Sequence, residues 1–468
     1  SEKFMDRRSK QMLTAPPLAL LVTMSTPSSI AFVIQASVSM AEVWFIGSLG
    51  NVSLAAIALV FPLLMLTQTL SGGAMGGAVA SAIARALGAN DIPRAEQLIW
   101  HALTLALCGA LLLLLLFAVF GTPFLIFLGG SGDVLAQALD YSLILFTGGA
   151  FIWLVGVVSA IYRGMGDMQF PALMMALSAL IQVPLSGVLI TGSLGFPQLG
   201  VQGAAISAVI SGLILSAVML IRLVRGNTAI KWRLVRPTFE RRHFRDILNV
   251  ALPAALSPIL TVLTVILITA IVGRFGEQAL AGYGIGSRIE FLLIPLVFGI
   301  GASMTSLVGI SVGAGDIDRA EKIGWVGGLA AALLAGTIGL VLAAFPNAWI
   351  PLFSGDPLVQ TAATSYIQIV GPWFALHGLG LVLYFGSQGA GAMRWPVIAL
   401  SIRSVIAVGG ALLLTYSISD FSILNLALQA SLDGVFYSIA ASMVVYGAIL
   451  AGALKLGAWR HSGRANGS

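Results

Sequence analysis

The chain has 468 residues, of which 58% are hydrophobic and 9% charged, with a formal net charge of +6. Soluble domains average about 25% charged residues, and 18 Asp and Glu with 24 Lys and Arg cannot cover a water-exposed surface of this size. A soluble globular protein is therefore excluded. Apolar runs of about 20 residues, each long enough to cross a ~30 Å hydrocarbon layer as a helix, recur along the whole chain. Stretches such as 111–119 are apolar on every side, which excludes the alternating strands of a membrane β-barrel. No G-x-x-x-x-G-K-[ST] run is present, so direct drive by ATP within the chain is not expected. Cys108 is the only cysteine, which excludes a disulfide framework or a cysteine metal cluster within the chain.

Taken in order, the apolar runs predict twelve helical spans near residues 15–47, 52–85, 95–120, 134–161, 169–192, 201–224, 246–273, 279–312, 320–345, 359–388, 396–416 and 433–457. The polar, basic stretch 1–11 precedes the first run, which lacks an early small-residue cleavage site and reads as an uncleaved span. Span 1 carries Pro27 and Glu42, and span 2 carries Gly72, Gly73, Gly76 and Gly77, two overlapping G-x-x-x-G pairs that suit close helix approach. The stretch 226–245 is the longest polar one, and the closing 464–468 reads as a disordered tail. The even connections and both ends hold 21 of the 24 Lys and Arg, whereas the odd connections hold only Arg274. By the positive-inside rule both termini and the central basic loop are expected in the cytoplasm. Anionic headgroups are the natural neighbours of that loop, and a nucleic-acid partner is not expected.

The chain also repeats itself. Residues 88–100 match residues 313–325 at 8 of 13 positions, where composition alone gives about one. The same offset, within one residue, carries Pro27 onto Pro253, Gly50 onto Gly276, and Gly164, Gly166 and Pro171 onto Gly389, Gly391 and Pro396. The expected organisation is an N-lobe at 1–230 with spans 1 to 6, a basic cytoplasmic linker at 231–245, and a C-lobe with tail at 246–468. Six spans per copy keep both copies in the same orientation, so the predicted fold is an all-α membrane protein of two six-helix lobes. A pseudo-two-fold axis along the membrane normal relates them.

Ionisable groups inside spans are costly and are functional candidates by default. They are Glu42, Arg288, Glu290, His377 and Arg403. Glu42 lies five residues before the Gly47 turn, about 7.5 Å from the end of its helix, and Ile268 occupies the equivalent place in the second half. A carboxylate there can exchange a proton as its surroundings are hydrated or sealed. Pro27 sits 15 residues earlier, roughly 22 Å along the axis, where it removes a backbone hydrogen bond and permits bending. Arg288 and Glu290 are two residues apart and cannot share a helix face. Met40, Trp44, Phe45, Phe61, Met65, Phe151 and Met174, with Glu290, are candidates for an adaptable substrate cavity. Thioether and aromatic surfaces suit cationic or planar compounds.

The acid-x-x-Phe-Ile-Gly-x-Leu-Gly run at 42–50, the Leu54-Ala-Ala56 that follows, Gly88-Ala-Asn-Asp91 and Tyr162-Arg-Gly-Met-Gly-Asp-Met-Gln-Phe-Pro171 resemble the multidrug and toxic compound extrusion (MATE) family, DinF-like members included. The family belongs to a wider superfamily of multidrug, oligosaccharidyl-lipid and polysaccharide flippases. The likeness extends over essentially the whole chain. It implies export of amphipathic, often cationic, drugs by exchange with protons or sodium, without a further cofactor. A functional monomer in a bacterial inner membrane is expected. Carried over by resemblance, Glu42 stands where the family has an aspartate and becomes the leading proton or cation site, with Pro27 as hinge. The family's span 4 tyrosine falls on Tyr141, and its span 5 Asn and Asp fall on Gln182 and Ser186. Two C-lobe acids of the vibrio NorM type fall on Thr261 and His377, and His377 is kept as a second coupling candidate. One carboxylate with Gln, Ser and Tyr makes a poor sodium site, which favours proton antiport. Sodium-coupled antiport and a lipid-linked oligosaccharide flippase are the alternatives.

Overall fold

The computed structural model describes residues 7–226, 228, 230, 232, 238–415 and 432–460, without the side chains of 291 and 292. The tail at 464–468, residues 1–6 and, within the linker, 231 and 233–237 lie outside the described residues. Long apolar runs broken by glycine turns fold as helices, because a backbone in hydrocarbon must satisfy its own polar groups. The spans are Pro17–Gly47, Asn51–Gly88, Ile92–Phe127, the bent pair Gly132–Thr147 with Gly149–Gly164, Gln169–Thr191, Val201–Val224, Arg241–Gly273, Glu277–Gly313, Ile317–Ala344, Pro357–Ala390, Arg394–Thr415 and Leu432–Lys455. They are numbered 1 to 12 below. The expected all-α fold of twelve spans in two pseudo-symmetric lobes is the observed one.

The repeated residues turn out to shape the backbone. Gly50 and Gly276 take φ of 109° and 104° at equivalent turns, as do Gly166 and Gly391 at 79° and 73°, a region that favours glycine. Asp91 and Asp316 cap spans 3 and 9 by accepting the N–H of Arg94 and Arg319 at 3.1 and 3.0 Å, satisfying donors that a helix start leaves open. Irregularities were not expected. A π-helical turn, Thr69–Met75, interrupts span 2. Span 4 bends by 53° at Gly148, and the turn Gly371–Trp373 breaks span 10. Of the four span 2 glycines, Gly72 and Gly73 would have room for a Cβ, whereas Gly76 and Gly77 would not. The Gly76 position meets Ala160 and Arg163, and the Gly77 position meets Gln388. The basic linker is shorter than its expected bounds, because span 7 already begins at Arg241. Its described parts dock on span 3: Trp232 lies 4.8 Å from Trp100 between ring centroids, and the Glu240 N–H donates to His101 Nε2 at 3.1 Å.

Contacts between the lobes concentrate on the side that carries the linker. Ser81 of span 2 donates to the Gln388 carbonyl of span 10 at 2.6 Å. Ser306 of span 8 donates to the Arg163 carbonyl of span 4 at 2.7 Å. Asp246 of span 7 takes Arg85 of span 2 at 2.9 Å and Arg94 of span 3 at 2.5 Å. The pseudo-symmetric partner of Arg94, Arg319, donates instead to the carbonyls of Met12 and Ala15, just ahead of span 1, at 2.8 and 2.7 Å. Each lobe thus clasps the entrance to the other lobe's first span. A short helix, Arg7–Thr14, adds to this face through an Arg8–Asp167 ion pair at 2.9 Å.

Spans 2 and 8 cross at Gly88 and Gly313, equivalent residues of the two repeats. A Cβ at Gly88 would collide with the Ile310 carbonyl, and one at Gly313 with the Arg85 carbonyl. Gly313→Ala is expected to cost about 1–3 kcal/mol through this overpacking and to lower the apparent unfolding temperature in detergent. Gly452→Ala, where the added Cβ has nothing within 4 Å, is expected to leave it unchanged. Equal unfolding temperatures for the two variants would refute the tight crossing.

Candidate functional site

Spans 1, 4 and 5 bring four sequence candidates together inside the N-lobe. Span 1 runs as one helix through Pro27 and presents Glu42 about five residues from its end, while Gln182 and Ser186, one turn apart on span 5, face it. Gln182 Nε2 donates to Glu42 Oε1 at 2.7 Å. The Ser186 hydroxyl faces the same carboxyl from outside hydrogen-bonding geometry, and Tyr141 of span 4 is its other polar neighbour. Gln182, Ser186 and Tyr141 are all buried. Among the described residues no Lys or Arg forms an ion pair with Glu42. The carboxyl therefore sits among neutral dipoles, where gain or loss of a proton changes the local charge by a full unit with no counter-ion to absorb it.

His377 is not part of that group. It lies in the C-lobe beside Glu290, with Nε2 at 3.9 Å from Oε1, and Arg403 Nη2 stands at the same 3.9 Å from that oxygen. Tyr366 donates its hydroxyl to Glu290 Oε2 at 2.8 Å, and the Arg403 guanidinium lies 5.4 Å from the centroid of the Tyr446 ring. Glu290 thus faces its own lobe and has a charged neighbour. In sequence Arg403 is marked only as a charge inside a span. Tyr366 and Tyr446 carry no signal that separates them from other packed aromatics.

The remaining cavity candidates divide. Met40 and Trp44 are open, at 72% and 75% exposed, and Phe61 and Met65 are also exposed. Met174 and Phe45 pack within the N-lobe, and Phe151 is half-buried there. Met174 is 6% exposed within the hydrophobic core, the Phe45 ring fills the space beside Gly187, and the backbone and Cβ of Phe151 lie against Gly212 of span 6. Hydropathy marks such residues as apolar but does not say which face of a membrane helix they occupy.

A family model described as MatE matches residues 27–188 and 253–413, one stretch in each lobe. The FAD transporter of Shewanella oneidensis is 29% identical over 400 residues, covering 84% of this chain and 86% of that protein. The probable multidrug resistance protein NorM of Thermotoga maritima is 26% identical over 380 residues, 81% of each chain. Among solved structures, a MATE transporter crystallised in complex with MaD3S superposes with a TM-score of 0.86 at 25% identity, over 98% of this chain and 100% of the other. With both halves matched, the fold shared and the repeat explained, the chain belongs to the MatE family of multi-pass membrane transporters.

Proposed function

We propose that this multidrug efflux transporter exports amphipathic small molecules in exchange for protons, by alternating access between its two lobes. The observation that carries the proton reading is the Glu42 site. Its carboxylate accepts a direct hydrogen bond from Gln182 at 2.7 Å, so an N–H donor takes up one of the two carboxylate oxygens and Gln182 presents a donor where a sodium site needs oxygen ligands. The single carboxylate is also the group whose charge a proton can cancel. Taking the basic side as cytoplasmic, the interlobe contacts close the inner end and leave the outer end to receive protons. Met40 and Trp44 offer thioether and aromatic surfaces to planar or cationic cargo, and the FAD named for the Shewanella relative adds aromatic anions as a second cargo class. One unit charge moved through ~150 mV releases about 3.5 kcal/mol, enough for a gradient of a few hundredfold in a neutral substrate. The site lies within one chain, which fits a functional monomer in a bacterial inner membrane with cytoplasmic termini.

The test is efflux of a fluorescent lipophilic cation from reconstituted vesicles under a pH gradient or a sodium gradient, imposed separately. Drive by pH alone supports the proposal. Drive by sodium alone refutes proton coupling, and no transport under either gradient favours the lipid-linked flippase.

Pro27 is assigned the hinge. It deprives the Thr23 carbonyl of its helical donor, and the Thr23 and Thr26 hydroxyls bond back to Ala19 and Val22 carbonyls, each at 2.7 Å, a pattern that loosens helices locally. Pro27→Ala is expected to slow transport several-fold while equilibrium drug binding stays within about twofold. Complete loss of binding in titration would count against a hinge.

A further inference from the structure

Arg288 differs from the other charges that lie deep in the spans. It is 11 residues into span 8, about 16 Å from Glu277 along the axis, yet it is exposed. No hydrogen bond or ion pair holds it among the described residues. One turn outward, the Gly284 position has no heavy atom within 4 Å. A bare guanidinium facing lipid at that depth is strongly disfavoured, so the direction in which Arg288 points decides its role.

Helix geometry gives that direction. The face of span 8 turned into the C-lobe is marked by Gly286 against Tyr366, Glu290 bonded to Tyr366, and Gly301 against Phe385, and this phase is kept through Pro295. At 100° per residue, Arg288 lies about 160° away from Gly286 and Glu290 and within about 20° of Gly299. Gly299 is where span 8 touches the N-lobe. The Gly299 position abuts the Ser29 backbone of span 1, Ser29 donates to the Leu296 carbonyl at 3.2 Å, and Phe32 and Phe298 meet edge to face. Arg288 therefore stands three turns outward of that contact on the stripe turned toward span 1. On span 1 the counterpart, 11 residues outward of Ser29, is Met40, with Trp44 one turn further, and both are open. By helical phase the three residues fall on the stripes of spans 1 and 8 that are turned toward one another. The two deep carboxylates, Glu42 and Glu290, are turned into their own lobes and do not neutralise the cleft.

We propose that Arg288 is an anion subsite of the transport cleft, selecting amphipathic aromatic substrates that carry a carboxylate or phosphate. Their rings lie against Met40 and Trp44. The guanidinium supplies paired donors that match either oxyanion, and with no counter-ion among the described residues those donors are left for cargo. This inference rests on the exporter reading and names a substrate class for it.

The experiment uses the full chain in proteoliposomes with two probes, the aromatic anion 5-carboxyfluorescein and the aromatic cation ethidium. Equilibrium binding is read by fluorescence anisotropy, and transport is read under an imposed pH gradient. Wild type is expected to bind and move both. Arg288→Gln is expected to weaken carboxyfluorescein binding about tenfold or more and to leave ethidium within about twofold. Arg288→Lys, which keeps the charge, is expected to retain anion binding within about threefold to fivefold of wild type. A wild type that moves ethidium but does not bind carboxyfluorescein would overturn the subsite and leave the exporter reading standing. So would an Arg288→Gln variant with unchanged anion binding, or one that loses both probes equally, since that marks a structural role. A wild type that moves neither probe would overturn both readings.

Discussion

Glu42→Gln is expected to reduce proton-driven efflux to the leak rate of empty vesicles while the protein folds and binds cargo. The substitution nearly conserves volume, and the new amide oxygen can still accept the Gln182 Nε2 hydrogen bond that Glu42 Oε1 accepts now at 2.7 Å. Ser186 and Tyr141 remain beside it as groups able to accept from or donate to an amide. Packing and polar satisfaction therefore survive. What is lost is the ability to bind and release a proton, and with it any difference between the protonated and deprotonated forms that could bias one lobe arrangement over the other. Drug binding that depends on pH in wild type should become independent of pH in the variant. His377→Gln makes the comparison informative, because its neighbour Glu290 also has Arg403 at 3.9 Å and Tyr366 at 2.8 Å. Loss of that histidine is expected to leave proton drive within a few-fold of wild type. Wild-type efflux rates from Glu42→Gln, in vesicles with equal protein incorporation, would sink the assignment of coupling to this carboxyl.

The number and order of the spans were legible because bilayer thickness sets the length of an apolar run and lysines and arginines mark one side. The repeat was legible because it is written in residues with backbone duties, such as Gly50 with Gly276 at positive φ and Asp91 with Asp316 at helix starts. The grouping of Glu42, Tyr141, Gln182 and Ser186 followed from the family resemblance, since nothing in local spacing brings residues 42, 141 and 182 together. Other features had no one-dimensional signal. Gly148, where span 4 bends, sits against Val209 of span 6, and hydropathy is blind to such an approach. Met174 and Met40 read alike in sequence, yet one is buried in the core and the other is open, because every face of a membrane helix is apolar, whether it meets lipid, protein or cleft. Arg288 was visible as a costly charge, but its direction required the Ser29–Gly299 contact.

Asp246→Asn is expected to open the basic side of the molecule. Asp246 is the one carboxylate between Arg85 and Arg94, at 2.9 and 2.5 Å, and the Asp246 and Arg85 side chains are only 11% and 7% exposed. The three residues belong to spans 7, 2 and 3, so the ion pairs exist only while the lobes are together on this face. Removing the carboxylate's charge leaves two guanidiniums facing each other in a largely dry contact, and breaking a buried pair in this way typically costs about 3–5 kcal/mol. Because the cost falls on one arrangement of the lobes, it appears as a shift of the conformational equilibrium by roughly a hundredfold to a thousandfold more than as loss of fold. The matching clasp of Arg319 on the Met12 and Ala15 carbonyls is untouched, so the lobes should part without separating. Spin labels on cysteines at Arg225 and Lys455, both exposed, in a Cys108→Ser background would report the opening. The distance distribution should be dominated by the short, closed population in the parent and by a longer one in Asp246→Asn. Efflux driven by a pH gradient should fall at least about tenfold, because the closed inner end is one of the two states the cycle must visit. Identical distance distributions in the two proteins would show that the Asp246 ion pairs are not what holds this side shut.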